Sequence, residues 1–94
     1  MQKWSFLTNH ARALLFIAQD PDSRLRDIAA ALGITERSAY SIVAELTTAG
    51  YVIKTKDGRR NRYRIDPDRE FSDPVIPNRT TGHLLQLLGD SSLR

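Results

Sequence analysis

Six of the fourteen basic residues of this 94-residue chain fall between Tyr51 and Ile65, in the stretch YVIKTKDGRRNRYRI, against one acid, Asp57. That stretch carries +5, while the remaining eight basic and ten acidic residues sum to −2, so one short piece supplies the whole positive balance. Lys54, Lys56, Arg59, Arg60, Arg62 and Arg64 at this density suit a polyanion, most economically the phosphates of nucleic acid, with Asn61 beside them to assist. Other chemistries find few residues. There is no cysteine, and His10 and His83 belong to no cluster at metal-ligand spacing. No Gly-rich phosphate loop and no nucleophile–base pair is visible, so neither an enzyme, a metal nor a cofactor is expected. Asp66, Asp68, Glu70 and Asp73 read as a solvated acidic loop.

The cations must be held by something, and the flanking pattern is a β-hairpin. Apolar or aromatic residues at Tyr51, Ile53, Tyr63 and Ile65 bracket an Asp57-Gly58 turn signal. Pairing Ile53 with Tyr63 predicts Lys54 opposite Arg62 and Lys56 opposite Arg60, with Asp57, Gly58 and Arg59 at the tip. Lys54, Lys56, Arg60, Arg62 and Arg64 would then share one face. Like charges set opposite each other cost stability, a cost that a bound anion relieves. Lysine on an edge strand also blocks aggregation, which accounts for one or two of the charges but not five.

Before the hairpin the pattern is helical. A first helix is expected from Thr8 as N-cap to about Gln19, with Ala11, Leu14, Leu15 and Ala18 on its inner face, ended by Asp20-Pro21-Asp22-Ser23. Leu25 is assigned to a very short strand. A second helix covers roughly Arg26 to Leu32, closed by Gly33 in a left-handed cap. Thr35 caps a third helix from Glu36 to about Ala49. Two helical patterns joined through a glycine turn form a helix-turn-helix.

The third helix has two unlike sides. Ala39, Ile42, Val43 and Leu46 follow helical spacing and define the core stripe. Opposite lie Arg37, Ser41, Ala44 and Thr48, flanked by Ser38 and Tyr40. A merely solvated helix carries more Lys and Glu, whereas small polar residues allow close approach to base edges in a major groove. Arg37 is the best reader of guanine or phosphate. Tyr40 suits a phosphate or a thymine methyl, or else packs beside the hairpin. Glu36 stabilises the positive end of the helix.

Residues 1–65 therefore read as one domain and 66–94 as an extension, because three of the four prolines lie in DPDREFSDPVIPNRT and a short leucine-rich helix follows from Thr81 to Leu88. Hydrophobic content of 40% and charged content of 27% describe a soluble globular chain, and no apolar run nears the roughly 20 residues of a membrane span. The N-terminal apolar stretch is broken by His10 and Arg12, and reads as a helix rather than a signal peptide. A cytoplasmic location is expected.

The stretch LRDIAAALGITERSAYSIVAELTTAGYVIKTKDGRRNRYRI resembles the winged helix-turn-helix of prokaryotic MarR/ArsR-type transcriptional regulators, over about Arg24 to Leu88. The likeness rests on the Ala-Ala-Leu-Gly-Ile-Thr turn, on Leu46 with Gly50-Tyr51, and on the Asp57-Gly58-Arg59-Arg60-Asn61 wing. It implies an α+β, mainly helical fold with a two-stranded basic wing and an extra C-terminal helix. It also implies binding of double-stranded DNA through the third helix and wing, usually as a homodimer. Thr35, Arg37, Ser38, Tyr40, Ser41 and the wing residues named above are the expected contacts. The long dimerisation helices of full-length MarR proteins have no counterpart here. Trp4, Phe6 and the terminal leucines either form a dimer surface or fold back to complete the monomer core. A winged-helix protein-interaction module and a non-regulatory nucleic-acid-binding protein are the alternatives.

Overall fold

A computed structural model describes residues 5–71 and 73–88. Helix α1 (Asn9–Gln19) starts where expected, because Thr8 is its N-cap and the Oγ1 atom accepts from the Ala11 N–H at 3.1 Å. Its buried side is Ala13, Leu14 and Ile17; Ala11 and Leu15 are only half-buried, and Ala18 is exposed. The expected stripe is therefore rotated. Seven apolar residues lie within Ala11 to Ala18, so two overlapping stripes satisfy the helical period, and the one that buries Ile17 is adopted.

Helix α2 (Leu25–Leu32) begins at the residue assigned above to a strand. Arg24 is an unusual N-cap, but its backbone N–H donates to the Asp27 carboxylate at 2.9 Å, which is the reciprocal half of a capping box and starts the helix early. Gly33 ends it at φ 72°, and the Ile34 and Gly33 amides donate to the Ala29 and Ala30 carbonyls in a Schellman closure. Helix α3 (Glu36–Thr48) follows after Thr35. Ala39, Val43 and Leu46 are buried and Ile42 half-buried, as its periodicity predicts.

Strands β1 (Val52–Asp57) and β2 (Arg60–Ile65) form one antiparallel pair. Val52, Tyr63 and Ile65 close the core against Leu14, Ile17, Ile28 and Leu46. From Asp66 the chain turns back along the domain. The Tyr51 hydroxyl donates to the Glu70 carbonyl at 3.3 Å, and the Arg69 guanidinium lies 5.8 Å from the Tyr51 ring centroid. Helix α4 (Thr81–Leu88) occupies the expected span and contacts α1. Thr81 at its start is fully buried, and both its amide and its hydroxyl donate to the Arg69 carbonyl, at 2.8 and 3.0 Å. The helix comes so close that a Cβ on Gly82 would sit 2.9 Å from the Pro67 carbonyl oxygen. Leu85 packs on the core, while Leu87 is 72% exposed. Phe6 is 90% exposed, and Trp4 lies outside the described residues. Among the described residues no helix is long and apolar enough to cross a membrane.

Candidate nucleic-acid interface

Arg37, Ser38, Tyr40, Ser41, Ala44 and Thr48 are all exposed, so the polar side of α3 is open along its length. At its N-terminus the Thr35 Oγ1 accepts from the Ser38 amide at 3.0 Å, and the same hydroxyl donates to the Ser38 Oγ at 3.0 Å. Thr35 is thus a cap first, and Ser38 keeps its own hydroxyl proton for an outside acceptor. On the flank of the helix Glu45 meets the His10 Nε2 at 2.6 Å, which ties α3 to α1 away from Arg37.

The hairpin corrects the expected register by one residue. Val52 faces Ile65, Lys54 faces Tyr63, Lys56 faces Asn61 and Asp57 faces Arg60. Directly opposed residues share a face, so the five cations divide. Lys54 and Lys56 stand with Val52, Asn61, Tyr63 and Ile65 on the side that meets the helices. Arg60, Arg62 and Arg64 stand with Ile53, Thr55 and Asp57 on the other. The reason lies in the turn. Gly58 has φ 67° and Arg59 does not, the sign pattern of a two-residue type II′ turn; the three-residue tip would have given the other parity.

The split changes what each cation can do. Lys54, Lys56, Arg59 and Arg64 are exposed; Arg60, Asn61 and Arg62 are half-buried. Arg62 is engaged by two carboxylates, Asp57 within the wing at 3.2 Å and Asp22 in the α1–α2 loop. It braces the wing against the helices, and its charge is already opposed. The sequence pattern pointed to neither Asp22 nor the His10–Glu45 contact, since each partner lies 35 or more positions away and no local spacing encodes it.

Between α3 and the wing runs a groove of about 190 Å³, lined by Tyr40, Ala44 and Thr48 on one side and Lys54, Asn61 and Tyr63 on the other. The two elements therefore present one continuous surface. Burial pushes the Tyr63 phenol above its ordinary value, donation from the Asn61 side chain opposes that, and nearby Tyr40 adds to it. Tyr63 is accordingly a neutral hydrogen-bonding floor at physiological pH.

A sequence model of the MarR family matches residues 5–62, from before α1 to the second strand of the wing. Among solved structures, one that resembles this chain is the zinc-dependent MarR family transcriptional regulator AdcR in its Zn(II)-bound state, with 18% identity and a TM-score of 0.51. The match covers 69% of this chain and 47% of that one, so the present chain spans about half of the known structure and the likeness is one of fold. No match was found among curated proteins. Four helices and a two-stranded wing among the described residues, with the family match over residues 5–62, converge on one conclusion: the chain belongs to the MarR family and carries its winged helix-turn-helix.

Proposed function

We propose that this protein is a DNA-binding transcriptional regulator that sets α3 in a major groove and its wing against the adjoining backbone or minor groove. The observation that carries the reading is the continuous groove joining the exposed polar side of α3 to the lysine-bearing side of the hairpin. Arg37, Ser38 and Ser41 point outward from a helix whose opposite side is locked in the core, a rigid presentation suited to reading base edges. Tyr40, 60% exposed above the groove, suits a thymine methyl or a phosphate. Lys54, Lys56 and Arg59 supply phosphate attraction on the same side, and Arg60, Asn61 and Arg64 extend it around the wing. Arg62 holds the wing in place. Two copies joined through Phe6, Leu87 and Leu88 would read half-sites about one helical turn apart.

Selection of bound sites from a random duplex pool tests this reading. A recovered consensus with two-fold symmetry is the expected result, and Arg37→Ala should erode discrimination between that site and random duplex. Arg59→Ala should weaken binding to every sequence alike and flatten its salt dependence. Failure to retain any duplex at low salt, with an acidic protein partner captured instead, would overturn the proposal.

A further inference from the structure

Thr80 stands one residue before α4, at its N-cap, and His83 occupies the third position of the helix. The Thr80 amide donates to the His83 Nδ1 at 2.9 Å, and the His83 amide donates back to the Thr80 Oγ1 at 3.4 Å. This is the reciprocal arrangement of a capping box, with an imidazole where a Glu or Gln side chain is usual. A backbone N–H can only donate, so Nδ1 must be the unprotonated nitrogen and the ring must be neutral, with its proton on Nε2. The Thr80 hydroxyl, 3.1 Å from Nδ1, is a second donor to the same lone pair.

The box lies beside the anchors of α4. Thr81 donates twice to the Arg69 carbonyl, the Gly82 amide donates to the Pro67 carbonyl at 2.8 Å, and Leu85 reaches the core. A proton on Nδ1 would set two N–H groups face to face and put a positive charge at the positive end of the helix dipole. No neighbouring carboxylate offsets that charge. His10 and Arg12 on α1, the helix that α4 packs against, are turned to Glu45 and to the Leu32 carbonyl. On the segment before α4 the Asp66 carboxylate accepts from the Asp68 amide, and Arg69 lies over the Tyr51 ring. Asp68, Glu70 and Arg79 form no ion pair among the described residues, and neither does His83.

We propose that Thr80 and His83 form an acid-sensitive latch, which holds α4 against the domain while the imidazole is neutral and releases it when the ring takes a second proton. Docking and protonation exclude each other. The hold is therefore complete above the range in which an imidazole changes charge, roughly pH 5 to 8, and is lost as pH falls through it. The His10–Glu45 contact runs the other way, because a charged imidazole is drawn to a carboxylate, so acid does not loosen α1 from α3 by that route. Release would free Leu85 beside the already exposed Leu87 and Leu88 and turn α4 into a detached apolar segment. The latch does not depend on the DNA-binding reading, since α4 itself reports it.

Long-range ¹H–¹⁵N spectra of the full chain show which ring nitrogen carries the proton, and at about pH 7.5 that of His83 is expected on Nε2. Amide protection at Leu84 and Leu85, corrected for intrinsic exchange, should then fall about tenfold between about pH 7.5 and about pH 5.5, while Val43 in α3 keeps its own. That interval stays above the range in which Asp and Glu side chains ordinarily titrate. His83→Gln retains an acceptor at the same position and does not titrate, so its α4 protection should match wild type at the upper pH and stay level. His83→Ala removes the acceptor and should leave α4 weakly protected at both values. A proton on Nδ1 at the upper pH would overturn the latch, as would protection in the His83→Gln chain falling as far as in wild type. Unchanged wild-type protection would overturn it too. So would a loss at Val43 in step with Leu85, since the whole domain would then be unfolding.

Discussion

Helix α3 and the wing contribute to one surface but are held there by different forces. The helix is fixed from behind by Ala39, Val43 and Leu46, all buried, and its outer side chains are free to face a ligand. The wing is anchored at its base by Val52, Tyr63 and Ile65, and further out by Arg62 bridging Asp22 and Asp57. Apolar burial is insensitive to salt and sets a position firmly. An ion pair whose side chains are 42% to 67% exposed is screened by salt and weak. The difference sets a rigidly held helix beside a more adjustable wing, which on the proposed reading would serve as reader and clamp.

Breaking the two supports should separate them. Leu46→Ala removes buried side-chain volume behind α3, with an expected cost of about 2–5 kcal/mol; in thermal unfolding it should lose more than any of the substitutions that follow. Thr35→Ala removes the cap of α3, at about 1 kcal/mol, and should fray the turn that carries Arg37 and Ser38. Its effect would appear as faster amide exchange at Ser38 with little change at Val52. Asp22→Asn frees Arg62 on the wing side. Stability should fall by less than about 1 kcal/mol, because the pair is largely exposed, while duplex affinity changes severalfold through the looser wing. An unchanged affinity would show that Arg62 does not position the wing.

The smallest effect is confined to alkaline solution. Burial raises the Tyr63 phenol above its ordinary value of 10.0, so above that pH the unfolded chain loses this proton before the folded one does. Stability therefore falls as pH rises past about 10, with no contribution below it. Tyr63→Phe should remove that slope in a pH series of melting temperatures.

The same contrast explains what could be read from the sequence. The inner side of α3 was legible, because Ala39, Ile42, Val43 and Leu46 recur at helical spacing while Arg37, Ser41 and Thr48 mark the opposite side as polar. The wing's position after Gly50 was also legible, and its turn was marked by Asp57-Gly58. Its register was not. Tyr51, Val52 and Ile53 are apolar in succession, so either parity satisfies burial on that strand, and the choice fell to whether Arg59 sits in a two-residue or a three-residue tip. Helix α1 failed in part for the same reason, too many apolar residues to single out one stripe. The start of α2 was hidden because Arg24 is not a residue type that signals a cap. Long-range partners such as Asp22 with Arg62 leave no mark in local spacing.

The chain has no cysteine, which permits a direct test of the shared surface. Single substitutions Ser41→Cys on α3 and Arg59→Cys on the wing tip, each carrying an iron chelate that cleaves nearby DNA, are mapped on the selected duplex beside a Gln86→Cys control on α4. Cleavage is expected from Ser41→Cys inside the recovered site and from Arg59→Cys within about half a helical turn of it, with none from the control. Cleavage from only one of the two positions, or stronger cleavage from α4, would contradict a single duplex-binding surface made by α3 and the wing.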